Sequence, residues 1–350
     1  MSSSCPQNAD KRESCNFARK ICSMQNLYPF TFSPVYKDKI WGGQKIRKEL
    51  GMDFGELVNC GEAWLLSGVQ ADPTLIANGY LAGNELNELV EVFMGDLVGE
   101  AVYERFGDIF PILVKIIDSN DWLSIQVHPD DKLAQRRGIG MGKTEMWYVM
   151  QADQDAALIS GFNQQLNKQD YLDAMEKGQI KSLMNYEQVA KGDVFYMPAG
   201  RVHALGPGTL IAEIQQTSDT TYRIYDWDRI DHAGQKRALH TEEALDAIDF
   251  ELPDETKTTY AQKTNETSNI VKSPFFTTNY LQFDQGIRKD YSQLDSFVIL
   301  LCVEGSCTID WGFDEKVEIK KGQSVLIPNV IQAVALYPQA DCTLLEVYIE

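Results

Sequence analysis

The sequence predicts a mainly β chain of two consecutive jelly-roll barrels with peripheral helices, and three observations carry that expectation. Short apolar runs bounded by Gly, Pro, Asp or Asn dominate the chain. A strand–turn–strand–glycine unit occurs twice at equal length, and each copy is followed by a Gly-x5-Pro strand.

Strands are expected at 110–117, 123–127, 146–150, 157–159, 194–197, 210–214 and 297–303, each too short for a buried helix and rich in Val, Ile, Phe and Tyr. Helical spacing, with apolar residues three or four apart, is confined mainly to 84–98 and 168–177. Such isolated amphipathic stretches belong on the outside of a β core.

The repeat sets EMWYVMQADQDAALISG, from Glu145 to Gly161, against SFVILLCVEGSCTIDWG, from Ser296 to Gly312. Gly192-DVFYM-Pro198 follows the first and Gly322-QSVLI-Pro328 the second. About twenty extra residues, within 164–191, separate the halves of the first copy only. A domain of residues 27–250 carrying this insertion, and a second of 251–350, are expected. Residues 1–26 are polar, lack the apolar stretch of a secretory signal, and are expected to be a disordered leader.

A formal charge of −19 works against long-range attraction to nucleic acid or an anionic membrane surface, so neither partner is expected. No apolar run approaches the roughly 20 residues that span a bilayer. The seven cysteines, Cys5, Cys15, Cys22, Cys60, Cys302, Cys307 and Cys342, form no CxxC pair or disulfide framework, which points to reduced thiols and a cytoplasmic protein.

Within the first copy, Gly192 to His203 fits G-x5-P-x-G-x2-H at every fixed position, the second motif of cupin barrels, which makes the chain a candidate bicupin. Pro198 and Gly200 make the turn that returns the chain with His203 facing inward. Ser124-Ile-Gln126-Val-His128 places Gln126 and His128 two apart on one face of a strand, and Glu145 opens the repeat strand. Two imidazoles, one carboxylate and an amide oxygen, with no thiolate, suit a catalytic divalent metal that keeps an open position. Zn2+, one per chain, is the first expectation, although imidazole and oxygen also suit iron, manganese, nickel and cobalt. In the second copy Ser296 and Ala333 align with Glu145 and His203, so that barrel is expected to hold no metal.

The segments YPFTFSPVYKDKIWGG, GEAWLLSG, SIQVHPDD, GKTEMWY, MPAGRVHAL and EIQQTSDTTYRIYDWDR, in this order from about Leu27 to Glu350, resemble the type I mannose-6-phosphate isomerase family, in its short bacterial form. The resemblance implies interconversion of mannose 6-phosphate and fructose 6-phosphate through a cis-enediol. It places the metal on Gln126, His128, Glu145 and His203, and counterparts of further active-site positions at Arg223, Glu213, Lys143, Ser124, Glu62 and Asp219. Glu213 or Lys143 is the expected proton-transfer base, and Arg223 with Lys143 the expected phosphate contact; Lys115 is a further candidate for substrate binding. The tail IYDWDR departs from the eukaryotic pattern, which leaves the phosphate contacts open. Two other readings compete: a non-heme iron oxygenase, because two histidines and a carboxylate also make a facial triad, and a non-catalytic sugar-phosphate sensor.

Overall fold

The computed structural model describes residues 27–230, 234–313 and 315–350; the expected leader, 1–26, lies outside them. Two β sandwiches follow one another, with antiparallel pairing between the strands of every sheet. In the first, a six-stranded sheet runs Val194–Met197, Glu145–Ala152, Thr209–Gln216, Ile112–Ser119, Glu62–Leu66, Val35–Lys37. A five-stranded sheet runs Tyr222–Tyr225, Ile125–Val127, His203–Leu205, Ala157–Phe162, Met184–Gln188. The second sandwich pairs a seven-stranded with a four-stranded sheet, and among the described residues no sheet closes into a barrel. The first strand of the chain, Phe30–Ser33, lies in the seven-stranded sheet between Ser324–Ile327 and Leu75–Ile76, so N-terminal residues complete the C-terminal sandwich.

The six-stranded sheet is buried on both faces, which is why its strands read as continuous apolar runs. Side chains alternate along a strand. Val114, Ile116, Met146, Tyr148, Ala212 and Ile214 join a core shared with Ile299, Leu301, Leu345 and Val347 of the seven-stranded sheet. The alternate set, including Ile117, Trp147, Val149 and Ile211, faces the interior of the first sandwich. Glu62, Lys115, Glu145 and Glu213 fall in that second set and point inward, whereas Asp118 lies on the first face and accepts from the Lys45 amide.

The expected helix at 84–98 is two helices, Leu86–Phe93 and Gly95–Val98, because Met94 takes a left-handed φ of 48° that ends the first. The second expected helix is Lys168–Glu176, capped by the Asn167 side chain on the amides of Gln169 and Asp170. With Ile180–Leu183 it packs outside the five-stranded sheet, as Tyr171, Ala174, Ile180 and Leu183 join Ile125, Ile159 and Ala204.

The repeat is real, but its register differs from the sequence alignment. Gly192 and Gly322 hold equivalent turns, with φ of 90° and 86°, and their amides donate to the carbonyls of Val149 and Cys302, both at 2.8 Å. Met197 pairs with Glu145, and Ile327 pairs with Val298. Val298, and not Ser296, therefore stands where Glu145 stands. On the strand after the turn, Val334 enters the core of the second sandwich and Ala333 stays half-buried outside it. Valines thus occupy both interior positions.

Phe110 and Phe297, each fully buried just before a strand of the shared core, contact one another across the two sandwiches at a centroid distance of 4.5 Å. Phe297→Ala is expected to lower stability by about 3–5 kcal/mol through lost burial and a cavity. Urea titration followed by tryptophan fluorescence checks this; a loss under about 1 kcal/mol would mean that the joint relaxes around the hole.

Candidate functional site

His128, Glu145 and His203 arrive from three strand regions and bring one donor atom each to within 4.8 Å of one another. The His203 and His128 Nε2 atoms lie 3.3 and 3.4 Å from the two Glu145 oxygens, and all three side chains are essentially inaccessible to solvent. His203 follows the Pro198–Gly200 turn, where the Gly200 amide donates to the His128 carbonyl at 3.0 Å and ties the two ligand segments together. A Cβ at Gly200 would stand 3.0 Å from the Asp249 side chain with φ at 92°, which explains the glycine.

The histidine tautomers follow from their partners. His128 Nδ1 lies 2.9 Å from the Thr220 carbonyl and His203 Nδ1 lies 2.8 Å from the Arg201 carbonyl. A carbonyl only accepts, so each Nδ1 carries the proton and each Nε2 turns a lone pair inward. Burial, then the Lys143 charge, lowers both imidazoles, His203 to about 3 and His128 well below its ordinary value, so both are neutral. Burial and the neighbouring Glu213 charge push the Glu145 carboxyl up to about 7. Neither Glu145 oxygen has an aligned hydrogen-bond donor, although the Lys143 ammonium lies 2.8 Å from one of them. Two inward lone pairs and an unsatisfied buried carboxylate are a donor set that fits a divalent cation. Gln126 stands opposite His203 in the sheet with its amide nitrogen 3.2 Å from His203 Nε2. Turning the amide over would present the oxygen instead, the orientation a cation requires.

Beside this group a cleft of about 280 Å³ is lined by Lys39, Glu62, Lys115, Ser124, Gln126, Lys143, Trp147, Glu213, Asp219, Arg223 and Arg237, among others. Lys115 is buried between carboxylates, 3.0 Å from Glu213 and 4.0 Å from Glu62, and also donates to Gln215 at 2.7 Å. The Trp147 indole donates to Glu213 at 2.9 Å and the Trp64 indole to Glu62 at 2.7 Å. Burial would raise both acids, but Lys115 and Lys143 outweigh it at Glu213, and Lys115 and Lys39 hold Glu62 at about 2. Both are ionised at neutral pH.

The residues nominated from sequence thus converge, with differences in their partners. Lys143 is committed to the ligand group, 2.9 Å from His128 Nε2 as well as 2.8 Å from Glu145. Arg223 stands opposite Gln126 in the strand pair and makes no ion pair with Asp219, Asp226 or Asp228; one Nη donates to the Ala238 carbonyl at 2.7 Å, and its Nε is buried without a partner. Asp219 is exposed at the cleft wall, and Ser124 is buried 3.4 Å from the Gln126 amide oxygen. Sequence reasoning missed Lys39, Trp64, Trp147 and Arg237. Trp147 was findable, two residues from Glu145 on the same face of its strand; Arg237 carries no local signal.

A buried donor group able to hold one metal ion between the sheets of a cupin-like sandwich, opening on a cleft of paired charges, defines the class of protein. Residues 30–190 match the family model for the phosphomannose isomerase type I catalytic domain, and 266–349 that for the mannose-6-phosphate isomerase cupin domain. A mannose-6-phosphate isomerase of Streptococcus mutans is 37% identical over 305 residues, covering 87% of this chain and 93% of the relative. One from Bacillus subtilis is 33% identical over 320 residues, covering 90% and 97%. The crystal structure of the Bacillus subtilis mannose 6-phosphate isomerase superposes with a TM-score of 0.82 at 31% identity, over 92% of this chain and all of that one. This chain belongs to the type I phosphomannose isomerase family.

One divalent metal per chain is expected from the donor set. His128→Ala and His203→Ala should each strip it, and Glu145→Gln should weaken it, as read by elemental analysis of the purified variants. Metal retained by both histidine variants would place the ion elsewhere.

Proposed function

We infer that the chain interconverts mannose 6-phosphate and fructose 6-phosphate as a metal-dependent aldose–ketose isomerase, with Zn2+ as the resident ion. The observation that supports this most is the inward-facing His128–Glu145–His203 group at the end of a cleft that also holds an ionised, buried Glu213. Gln126 would complete the ligands, and the cation would supply charge for the carbonyl and hydroxyl oxygens at carbons 1 and 2. The four described cysteines, Cys60, Cys302, Cys307 and Cys342, are buried and form no disulfide, which is compatible with a cytoplasmic location.

The reaction moves a proton between carbons 1 and 2 through a cis-enediol, so it needs a base that reaches both carbons. Glu213 is the better candidate. It projects from the same face as Glu145 on the neighbouring strand, it is ionised, and the Trp147 indole fixes its orientation. Lys143 sits against the ligand group, where its ammonium is placed to donate to a developing oxyanion. Arg223, beside Gln126 with an unpartnered buried Nε, offers a fork to the substrate's anionic oxygens. Ser124, Glu62, Lys115 and Asp219 line the remaining wall.

Turnover of mannose 6-phosphate in a coupled assay, abolished by chelator and restored by added metal, is the direct test; no turnover with metal bound would sink the reading. In heavy water, deuterium should enter the sugar at the migrating position, because a carboxyl base exchanges its proton with solvent. Glu213→Gln should cost about a hundredfold or more in kcat, with the metal retained. If it keeps most of its rate while Lys143→Met loses it, lysine is the base. Arg223→Ala should lower kcat/KM by about a hundredfold or more, and ordinary activity there would remove it from the site.

A further inference from the structure

The cleft's cations are unevenly committed. Lys115 is held by Glu213 and Gln215, Lys143 by Glu145, and Lys39 by Glu62 at 3.2 Å. Arg223 and Arg237, which also line the cleft, lie with Arg229 around one buried carboxylate, Asp226. Arg237 forks onto it, with Nε donating to Oδ2 at 2.7 Å and an Nη donating to Oδ1. Arg229 stands 4.0 Å from the same Asp226 and 3.8 Å from the exposed Asp121. Arg223 makes no ion pair among the described residues.

We propose that Arg237, oriented by Asp226 and acting beside Arg223, binds the phosphate group of the substrate. This rests on the sugar-phosphate reading above. The reacting carbons belong at the ligand group, and the phosphate sits on carbon 6, four carbon–carbon bonds from carbon 2, so it must reach a different part of the cleft. Arg223, opposite Gln126, stands next to the ligands, and Arg237 lines the same cleft. The Asp226 fork occupies Nε and one Nη, which leaves the other Nη and a fixed guanidinium plane for phosphate oxygens. Lys143, the other phosphate candidate from sequence, is instead buried against Glu145 and His128. In a chain of formal charge −19, this local excess of guanidinium is what a dianionic ester needs in order to enter. Among the described residues Asp219 is the one acid of the cleft lining without an ion pair, and it leaves the guanidiniums of Arg223 and Arg237 as the cleft's least committed cations.

Two measurements test this on the metal-loaded, full-length protein. Calorimetric titration with inorganic phosphate should show Arg237→Ala binding at least tenfold more weakly than the parent. KM for mannose 6-phosphate should rise about ten- to a hundredfold, the size of one lost charge-assisted contact, with a much smaller change in kcat and no change in metal content. Arg237→Lys, which keeps charge without the fork, should fall between, and it decides the matter if Arg237→Ala does not fold. Asp226→Asn, which loosens the guanidinium, should shift KM in the same direction. Unchanged phosphate affinity and KM in Arg237→Ala, or a loss confined to kcat, would overturn the assignment. If the parent binds phosphate through Arg237 yet turns over no sugar phosphate, the isomerase reading fails and this site stands.

Discussion

Everything in the first sandwich depends on one constraint: the inner face of its six-stranded sheet carries buried charge. Glu62, Glu145 and Glu213 meet Lys115 and Lys143 there, all nearly inaccessible to solvent, and leaving any one of them unpaired would be strongly destabilising. The opposite face of the same strands, apart from Asp118 at its end, is apolar and packs on the second sandwich. That packing fixes the strands in place, and alternation along each strand then fixes which side chains point at one another. The two tryptophan indoles finish the arrangement by donating to carboxylate oxygens that would otherwise lack a partner.

The same accounting explains why the site suits a cation and an anionic reaction path. Glu62, Glu145 and Glu213 face Lys115, Lys143 and, at the half-buried edge, Lys39, so the carboxylates and ammoniums balance and a divalent cation would leave the group positive. An enediolate forming there would meet a complementary field without reorganisation of the protein. Glu145 is the least compensated of the three acids, since burial and Glu213 raise its carboxyl to about 7.

Local spacing made the ligand set legible in the sequence. Gln126 and His128 are two apart on one strand, and His203 closes a motif contained in twelve residues. What stayed hidden depends on topology. Lys115, Glu62 and Glu213 lie on three adjacent strands far apart in sequence, and only the sheet order makes them neighbours. Arg237 reaches the cleft because Asp226 holds it, and nothing in the segment around it announces that pairing. The repeat was visible but read two residues out of register. The first copy spends four residues, 153–156, between its strands, whereas the second turns on Gly305 alone, so equal total lengths concealed unequal turns.

Placed in the correct register, the two sandwiches differ in how their equivalent buried acids are satisfied. Glu213 pairs with Lys115 and Trp147, and Glu346 occupies the same place between Asn279 and Leu300. Glu346 is just as buried, yet its oxygens accept from Tyr291 at 2.8 Å and Asn279 at 3.0 Å and face Lys289 at 3.0 Å. A carboxylate so fully satisfied has no remaining demand for a cation, and Val298 stands where Glu145 would have supplied a ligand. In the first sandwich the equivalent carboxylate is held by a lysine and one indole, and the neighbouring Glu145 is left without an aligned donor. Incomplete satisfaction of buried acids leaves the first interior with polar demand a cation could meet, and complete satisfaction leaves the second interior with none.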